Sequence, residues 1–188
     1  MVRISEKNEF LVGISLDGRR KTHDQHRSYP DGEGSFIHVM ETISRLKKFG
    51  IPFNILTVVT EEIAAQVESV YAFYRKNKFS YLQFIPCIPP FGNEKKDHAF
   101  LAPESYGRFL NTLFDLWYDD LMRNKQPYIQ QFENLVMMRM GYPPDGCDQC
   151  GRCAAQYVVE ADGAVYPCDF YALDQYRLGN LVTDDFQN

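Results

Sequence analysis

Three short apolar segments alternate with amphipathic helical segments, and this alternation limits the possible folds more than any other feature of the chain. The apolar segments run from Phe10 to Leu16, from Phe53 to Val59 and from Tyr81 to Pro86. The second is rich in β-branched residues, as burial on both faces of a sheet favours. Alternating strands and helices form parallel sheets with right-handed crossovers. The sequence therefore predicts an α/β fold with about three parallel strands, either a small open sheet or part of a larger β/α barrel.

Amphipathic helices are predicted between and after these strands. The first ends at Gly50, the second begins with Thr60 as its N-cap, and the third runs from about Pro103 to Met122. A polar loop is predicted from Phe91 to His98, and a short helix from Phe132 to Met140. The side chains of the third helix predicted to face inward are Phe109, Leu113, Phe114, Trp117 and Leu121.

Composition excludes several classes of protein. The 188 residues carry a formal net charge of −5, which gives no reason to expect nucleic acid or an anionic membrane as a partner. No apolar run approaches the roughly 18 residues that a membrane-spanning helix needs. The first ten residues lack the apolar stretch of a secretory signal, so we expect a cytoplasmic protein.

The character of the sequence changes near residue 141. We place a domain boundary there, between residues 1–140 and residues 141–188. The segment GYPPDGCDQCGRCAAQ is rich in turn residues and cysteine, and YVVEADGAVYPCD reads as two short strands around an Asp162–Gly163 turn. The second domain is therefore predicted to be a small cysteine-rich β-hairpin domain.

Four of the five cysteines lie in this second domain. Cys147, Cys150 and Cys153 form a C-x2-C-x2-C loop, and Cys168 stands at the end of the predicted hairpin. A loop and a hairpin can bring four thiolates to one centre, and both zinc and iron–sulfur clusters accept four cysteine ligands. Spacing alone does not choose between zinc and iron–sulfur. Cys87 stands apart at the end of the third strand and is interpreted as a core residue.

The stretch from Cys153 through Gly163 to Cys168 resembles the opening of the SPASM domain, an auxiliary-cluster module of radical S-adenosylmethionine enzymes. GCDQCGRC followed by DGAVYPCDFYALDQYRLGNL is similar to the anaerobic sulfatase-maturating enzymes in particular. This resemblance implies that Cys147, Cys153 and Cys168 ligate an auxiliary [4Fe-4S] cluster. The resemblance does not carry Cys150 over as a ligand, but Cys150 could supply a substitute fourth ligand here. Zinc remains possible in the isolated chain.

An upstream segment, LVGISLDGRRKTHDQHR, also resembles the anaerobic sulfatase-maturating enzymes. The resemblance implies that Ser15 and Arg27 hold the methionyl carboxylate of S-adenosylmethionine. A hydroxyl at the end of a barrel strand and a bidentate Arg suit that role; otherwise Ser15 is an ordinary strand serine and Arg27 a solvated charge. YLQFIPCIPP resembles the sixth barrel strand of the family, which makes Ile88 a candidate neighbour of the adenine. Asp17 and Gly18 are interpreted as a turn.

The resemblance implies a function as well as a fold. A reduced [4Fe-4S] cluster would cleave S-adenosylmethionine to a 5′-deoxyadenosyl radical, and that radical would oxidise a Cys or Ser of a sulfatase polypeptide to Cα-formylglycine. Asp169 would accept the substrate proton, although it could also be an aspartate that only hydrogen-bonds backbone amides. Two alternatives stay open: another peptide-modifying SPASM enzyme, and a non-enzymatic zinc-binding α/β module.

One departure from the family pattern affects these expectations. The radical-generating C-x3-C-x2-C loop and the first barrel strands have no counterpart in the sequence, so we expect a fragment that is inactive by itself. A partial barrel leaves apolar strand edges and helix faces uncovered, and this predicts self-association.

Overall fold

The computed structural model describes residues 12–89, 99–153 and 155–185. Two compact units make up the chain, residues 1–136 and residues 137–188. The division into a barrel part and a cluster domain at about residue 141 stays a prediction. The loop predicted from Phe91 to His98 and the first two residues of the first predicted strand, Phe10 and Leu11, lie outside the described residues.

A parallel sheet with helices forms the first unit. In chain order its elements are β1 (Val12–Ser15), α1 (Arg20–His26), α2 (Phe36–Lys48), β2 (Phe53–Val59), α3 (Glu61–Ala64), α4 (Val67–Lys76), β3 (Tyr81–Pro86), α5 (Pro103–Leu121), β4 (Tyr128–Ile129) and α6 (Gln130–Arg139), the last of which continues into the second unit. The strands lie in the order β1-β2-β3-β4, and each neighbouring pair is parallel. The predicted α/β class and partial β/α barrel are confirmed.

Two elements of this unit differ from the sequence prediction. The sheet has a fourth strand, β4, which is only two residues long and therefore shows no alternating pattern. The helix predicted after Thr60 is divided into α3 and α4, with a break at residues 65–66. Thr60 is the N-cap of α3 as predicted, and its hydroxyl accepts a hydrogen bond from the backbone N–H of Ile63 at 3.3 Å.

The hydrophobic core lies between the sheet and the helices. Ile55 and Val59 of β2 and Phe84 of β3 are fully or almost fully buried against the helices. Successive side chains of a strand point to opposite faces, so Asn54 and Gln83 lie on the other face, where the Asn54 Nδ2 donates to Gln83 Oε1 at 3.3 Å.

The core face of α5 is narrower than predicted. Phe109, Leu113 and Trp117, spaced four residues apart, are buried, and Leu121 packs against the core as a partly buried residue. Phe114 is 43% exposed, so its predicted inward position is wrong. The reason is geometric: Phe114 lies one residue beyond the buried stripe, although its ring still contacts Phe132 edge-on at 5.3 Å.

Three short antiparallel strands form the second unit, which also contains a one-turn helix. Its elements are α7 (Cys147–Cys150), β5 (Val158–Val159), β6 (Ala164–Tyr166) and β7 (Gly179–Asn180), with strand order β5-β6-β7. The predicted hairpin is confirmed: β5 and β6 pair around Asp162 and Gly163, and Gly163 has a φ of +84° that favours glycine. The third strand, β7, was not predicted because it is two residues long.

Candidate cofactor and cluster sites

Ser15 and Arg27 line one cavity of about 560 Å³ beside the end of β1. Leu16 is fully buried in the core, so Ser15, the preceding residue, faces the opposite side of the sheet. The Ser15 hydroxyl makes no hydrogen bond to any other described residue. The structure therefore brings together the two residues that the sequence resemblance paired, and it places a hydroxyl and a guanidinium at the same cavity.

Asp17 holds Arg27 at this cavity. Arg27 Nε donates to Asp17 Oδ2 at 2.5 Å, and the side chain of Asp17 is only 5% exposed. The second oxygen, Asp17 Oδ1, accepts a hydrogen bond from the backbone N–H of Val58 at 2.8 Å. The sequence interpretation treated Asp17 as a turn residue and missed this ion pair, although Gly18, with a φ of +73°, does turn the chain.

A buried histidine, His23, contacts the backbone of Asp17. His23 is fully buried, and its Nδ1 accepts a hydrogen bond from the Asp17 N–H at 3.1 Å. An accepting Nδ1 carries no proton, so in the neutral ring Nε2 carries it and donates to Ser35 Oγ at 3.0 Å. Desolvation by burial lowers the pKa of His23, outweighing the opposing effect of Asp17, and this favours the neutral ring.

Ile88, the third residue predicted at the cofactor, lies elsewhere in the described structure. It follows β3, is 47% exposed, and is not among the residues that line the cavity of Ser15 and Arg27. Its role beside the adenine stays a prediction.

Three of the four clustered cysteines line a second cavity, which lies in the second unit. Cys147, Cys153 and Cys168 surround about 480 Å³ of space, and the rings of Tyr171 and Tyr176, 4.9 Å apart and perpendicular, form part of its wall. Cys147 comes from α7, Cys153 from the loop after it, and Cys168 from the segment after β6. The local fold thus gathers thiols from both parts of the predicted loop-and-hairpin arrangement.

Cys150 is placed differently from the other three. It ends the single turn of α7 and does not line the cavity; its thiol donates to the carbonyl oxygen of Pro144 at 3.5 Å. Spacing alone could not separate Cys150 from its neighbours, whereas the family resemblance had already set it apart.

The chemistry of these thiols fits an iron–sulfur cluster. Within the described ranges, no three His, Cys, Asp or Glu side chains are close enough to hold one metal ion. A four-iron cluster, however, takes one thiolate at each iron, so its ligands surround a volume instead of meeting at one ion. Cys147, Cys153 and Cys168 are spread around a cavity in this way.

Asp169, the predicted proton acceptor, follows Cys168 directly. It is exposed and begins a short 3-10 turn that continues to Tyr171. It is not among the residues that line the thiol cavity, whereas the preceding residue, Cys168, is. The role of Asp169 as a proton acceptor stays a prediction.

The fold and the two sites together define a class: a β/α partial barrel with a polar site at a strand end, followed by a cysteine-rich domain of the SPASM type. Residues 150–188 match the family model described as the SPASM iron–sulfur cluster-binding domain. Residues 12–89, 99–153 and 155–185 contain no helix with the length and hydrophobicity to cross a membrane.

Curated relatives narrow this class. A cysteine-type anaerobic sulfatase-maturating enzyme of Clostridium novyi is 40% identical over 96% of this chain and 49% of its own length. A serine-type enzyme of Bacteroides thetaiotaomicron is 32% identical over 94% of this chain and 46% of its own length. The solved structure of native anSMEcpe with bound AdoMet and Kp18Cys peptide matches 98% of this chain and 51% of its own, with a TM-score of 0.91 and 39% identity.

Over nearly all of its length the chain is similar to the anaerobic sulfatase-maturating enzymes, and the predicted resemblance is confirmed. It spans about half the length of the curated relatives that it matches. Of the two alternatives left open by the sequence, neither the different peptide-modifying enzyme nor the zinc-binding module is favoured by these relatives.

Proposed function

We propose that the whole protein is a radical S-adenosylmethionine enzyme that oxidises an active-site Cys or Ser of a sulfatase to Cα-formylglycine. The observation that carries the proposal is the meeting of Ser15 and Arg27 at one cavity beside the end of β1. The relatives support the same reaction, since both cysteine-type and serine-type maturating enzymes match nearly all of this chain.

Ser15 and Arg27 would bind the methionyl carboxylate of S-adenosylmethionine. Among the described residues, no hydrogen bond uses the two terminal nitrogens of Arg27, because its contact with Asp17 is made through Nε. A guanidinium can donate two parallel hydrogen bonds to a carboxylate, and the Ser15 hydroxyl adds a third donor. When bound beside a reduced cluster, S-adenosylmethionine supplies the radical that abstracts hydrogen from the substrate.

Cys147, Cys153 and Cys168 would hold an auxiliary [4Fe-4S] cluster, which would accept the electron that the substrate radical loses as it is oxidised. Cys150 remains a candidate fourth ligand, although its thiol would have to leave the carbonyl of Pro144. Asp169 would accept the proton of the substrate thiol or hydroxyl at the edge of this site. Its exposure leaves it within reach of a side chain that arrives from outside, and a bound substrate that covered the carboxylate would make it a stronger base.

The partner implied by this reaction is a sulfatase polypeptide that presents a Cys or Ser. A relative solved with the Kp18Cys peptide supports a peptide substrate.

Self-association of the chain is favoured by exposed apolar side chains such as Tyr81 and Ile85, which lie on the sheet face opposite the helices. Light scattering over a range of concentrations tests it, and a mass that stays monomeric would exclude it.

The reaction is tested with the whole protein, purified without oxygen and supplied with a reductant and S-adenosylmethionine. A peptide containing the sulfatase Cys or Ser should gain formylglycine, detected by mass spectrometry, together with 5′-deoxyadenosine. Asp169→Asn should keep its iron and sulfide but lose most of the product. Stoichiometric zinc without iron in the native protein, or an unmodified peptide, would contradict the proposal.

A further inference from the structure

We infer that Asp17 is a positioning residue, which orients Arg27 so that its terminal nitrogens meet the carboxylate of S-adenosylmethionine. The inference rests on the proposed function, because it concerns the same cavity. It adds a residue that does not line the cavity and would not touch the ligand.

The Asp17 carboxylate has a fixed orientation. Its two oxygens have different partners: Oδ1 accepts from the backbone N–H of Val58, in the sheet, and Oδ2 accepts from Arg27 Nε. The carboxylate is therefore anchored to β2, and it engages only the Nε edge of the guanidinium. Because a guanidinium is planar and rigid, fixing its Nε edge also fixes the direction of its two terminal nitrogens.

The backbone of Arg27 is held by a separate set of hydrogen bonds. Asp17 N–H donates to His23 Nδ1, His23 Nε2 donates to Ser35 Oγ, and the Ser35 hydroxyl donates to the carbonyl oxygen of Arg27 at 2.7 Å. The backbone N–H of Ser35 donates to the same carbonyl at 3.1 Å. These hydrogen bonds connect the backbone of Asp17 to the backbone of Arg27. The two residues are therefore joined both through their side chains and through their backbones.

Stability alone is a weak explanation for this ion pair. Replacing a buried ion pair by apolar residues of similar volume is often neutral or stabilising. The Asp17 side chain is 5% exposed, whereas that of Arg27 is 32% exposed and reaches the cavity. One partner is thus withdrawn from solvent while the other remains available to a ligand, as an orienting role requires.

The test compares two ligands, S-adenosylmethionine and its decarboxylated analogue, bound to the anaerobic whole protein. For each variant, the dissociation constant of the decarboxylated analogue is divided by that of S-adenosylmethionine. A large ratio means that the protein recognises the carboxylate strongly. Arg27→Ala gives the ratio that remains without the guanidinium. Asp17→Asn keeps the acceptor for Val58 and most of the shape, and we expect it to lower the native ratio by roughly tenfold, the scale of one charge-assisted hydrogen bond, to nearly that of Arg27→Ala.

A structural control separates positioning from general damage. Tyr71→Phe, which removes a partly buried hydroxyl bonded to Asp120 and does not contact the Asp17 loop, should leave the ratio of the two dissociation constants unchanged. A native ratio retained in Asp17→Asn would overturn the inference while leaving the proposed function intact. If the native protein binds neither ligand, the proposed function fails and the inference fails with it.

A second measurement needs no ligand. In the native chain, the Nε–H of Arg27 should give a protected ¹⁵N–¹H signal because it donates to a buried carboxylate. Asp17→Asn should increase its hydrogen exchange with solvent at least tenfold, and loss of the signal in Arg27→Lys assigns it. An exchange rate unchanged by Asp17→Asn would show that Asp17 does not hold the guanidinium.

Discussion

The hydroxyl of Tyr74 donates a hydrogen bond of 2.6 Å to the carbonyl oxygen of Leu16, 58 residues earlier in the chain. The same hydroxyl oxygen accepts from the backbone N–H of Gly18 at 2.9 Å and lies 2.7 Å from the hydroxyl of Thr57. Tyr74 is fully buried, and burial raises its pKa, so the hydroxyl stays protonated. One side chain of α4 therefore fixes the loop that carries Asp17.

Replacing Tyr74 by Phe should lower the free energy of unfolding by about 1–3 kcal/mol, because the buried N–H of Gly18 would lose its acceptor. Urea denaturation measures the change. Tyr71→Phe is the matched control on the same helix: the Tyr71 hydroxyl donates to Asp120, which also accepts from Arg75 at 2.6 Å and keeps that partner. A smaller loss is expected there, and equal losses in the two variants would contradict this explanation.

A side chain at Gly34 is predicted to destabilise the fold. A Cβ atom at Gly34 would overlap the carboxylate of Asp24, which accepts a hydrogen bond from the backbone N–H of Phe36, the first residue of α2, at 2.8 Å. Gly34→Ala should therefore displace this carboxylate and lower the free energy of unfolding by about 1–3 kcal/mol, as overpacking does.

Gly107 provides the control for that substitution. It lies inside α5, and no described atom comes within 4 Å of an added Cβ beyond its own helix backbone and neighbours. Gly107→Ala should raise the free energy of unfolding by about 0.5–1 kcal/mol, because alanine loses less conformational entropy in a helix. Thermal or urea unfolding of both variants should give changes of opposite sign; the same sign in both would refute the steric account of Gly34.

His23 should make the stability of the fold depend on pH. Its pKa in the folded chain is lowered from 6.5 by burial, so below pH 6.5 the unfolded chain binds more protons than the folded one. Stability from this residue is therefore present above pH 6.5 and is lost as the pH falls from 6.5 through the folded pKa. Asp17, Asp24 and Arg27 are the charged groups acting on the ring.

The variant His23→Asn tests this assignment, because its side-chain oxygen can still accept from the backbone N–H of Asp17 but does not titrate. Unfolding free energies measured between pH 7.5 and pH 5, in steps of about half a unit across the range where histidine titrates, should decline less steeply in the variant than in the native chain. Parallel curves would assign the pH dependence to other groups.

Substitution of Cys153 and of Cys150 should have different effects on the iron content of the protein. Cys153→Ala removes a thiol that lines the cavity, and iron and acid-labile sulfide should then be largely lost from anaerobically prepared protein. Cys150→Ala removes the thiol that is bonded to Pro144 instead, and most of the iron should remain. Metal analysis and the visible absorbance measure both results. Equal losses would mean that Cys150 turns inward when the cluster binds.

Much of the fold could be predicted because burial leaves a periodic pattern. β2 and β3 follow the apolar segments, and Thr60 caps its helix, since these features depend on local sequence. β4 could not be predicted because two residues show no period. Phe114 misled the prediction because an aromatic residue beside the buried stripe of a helix is as apolar as a core residue.

The site was predictable only in part. The pairing of Ser15 with Arg27 came from resemblance, and both residues line one cavity. The partner of Arg27 was missed because Asp followed by Gly is also a common turn sequence, and nothing local indicates that the Asp17 carboxylate faces β2. The different placement of Cys150 depends on the path of the chain around α7, which the regular C-x2-C-x2-C spacing does not reveal.

The anchoring of the Asp17 loop has a consequence for synthesis of the protein. Ser15 and Arg27 lie close together in sequence, but the contacts that hold their loop reach 41 residues ahead to Val58 and 56 to 58 residues ahead to Tyr74. Chains are made from the N-terminus, and local helices form before distant contacts. A nascent chain in which α4 is still inside the ribosome therefore has both cavity residues but no fixed loop, and the loop becomes fixed only after Tyr74 has emerged.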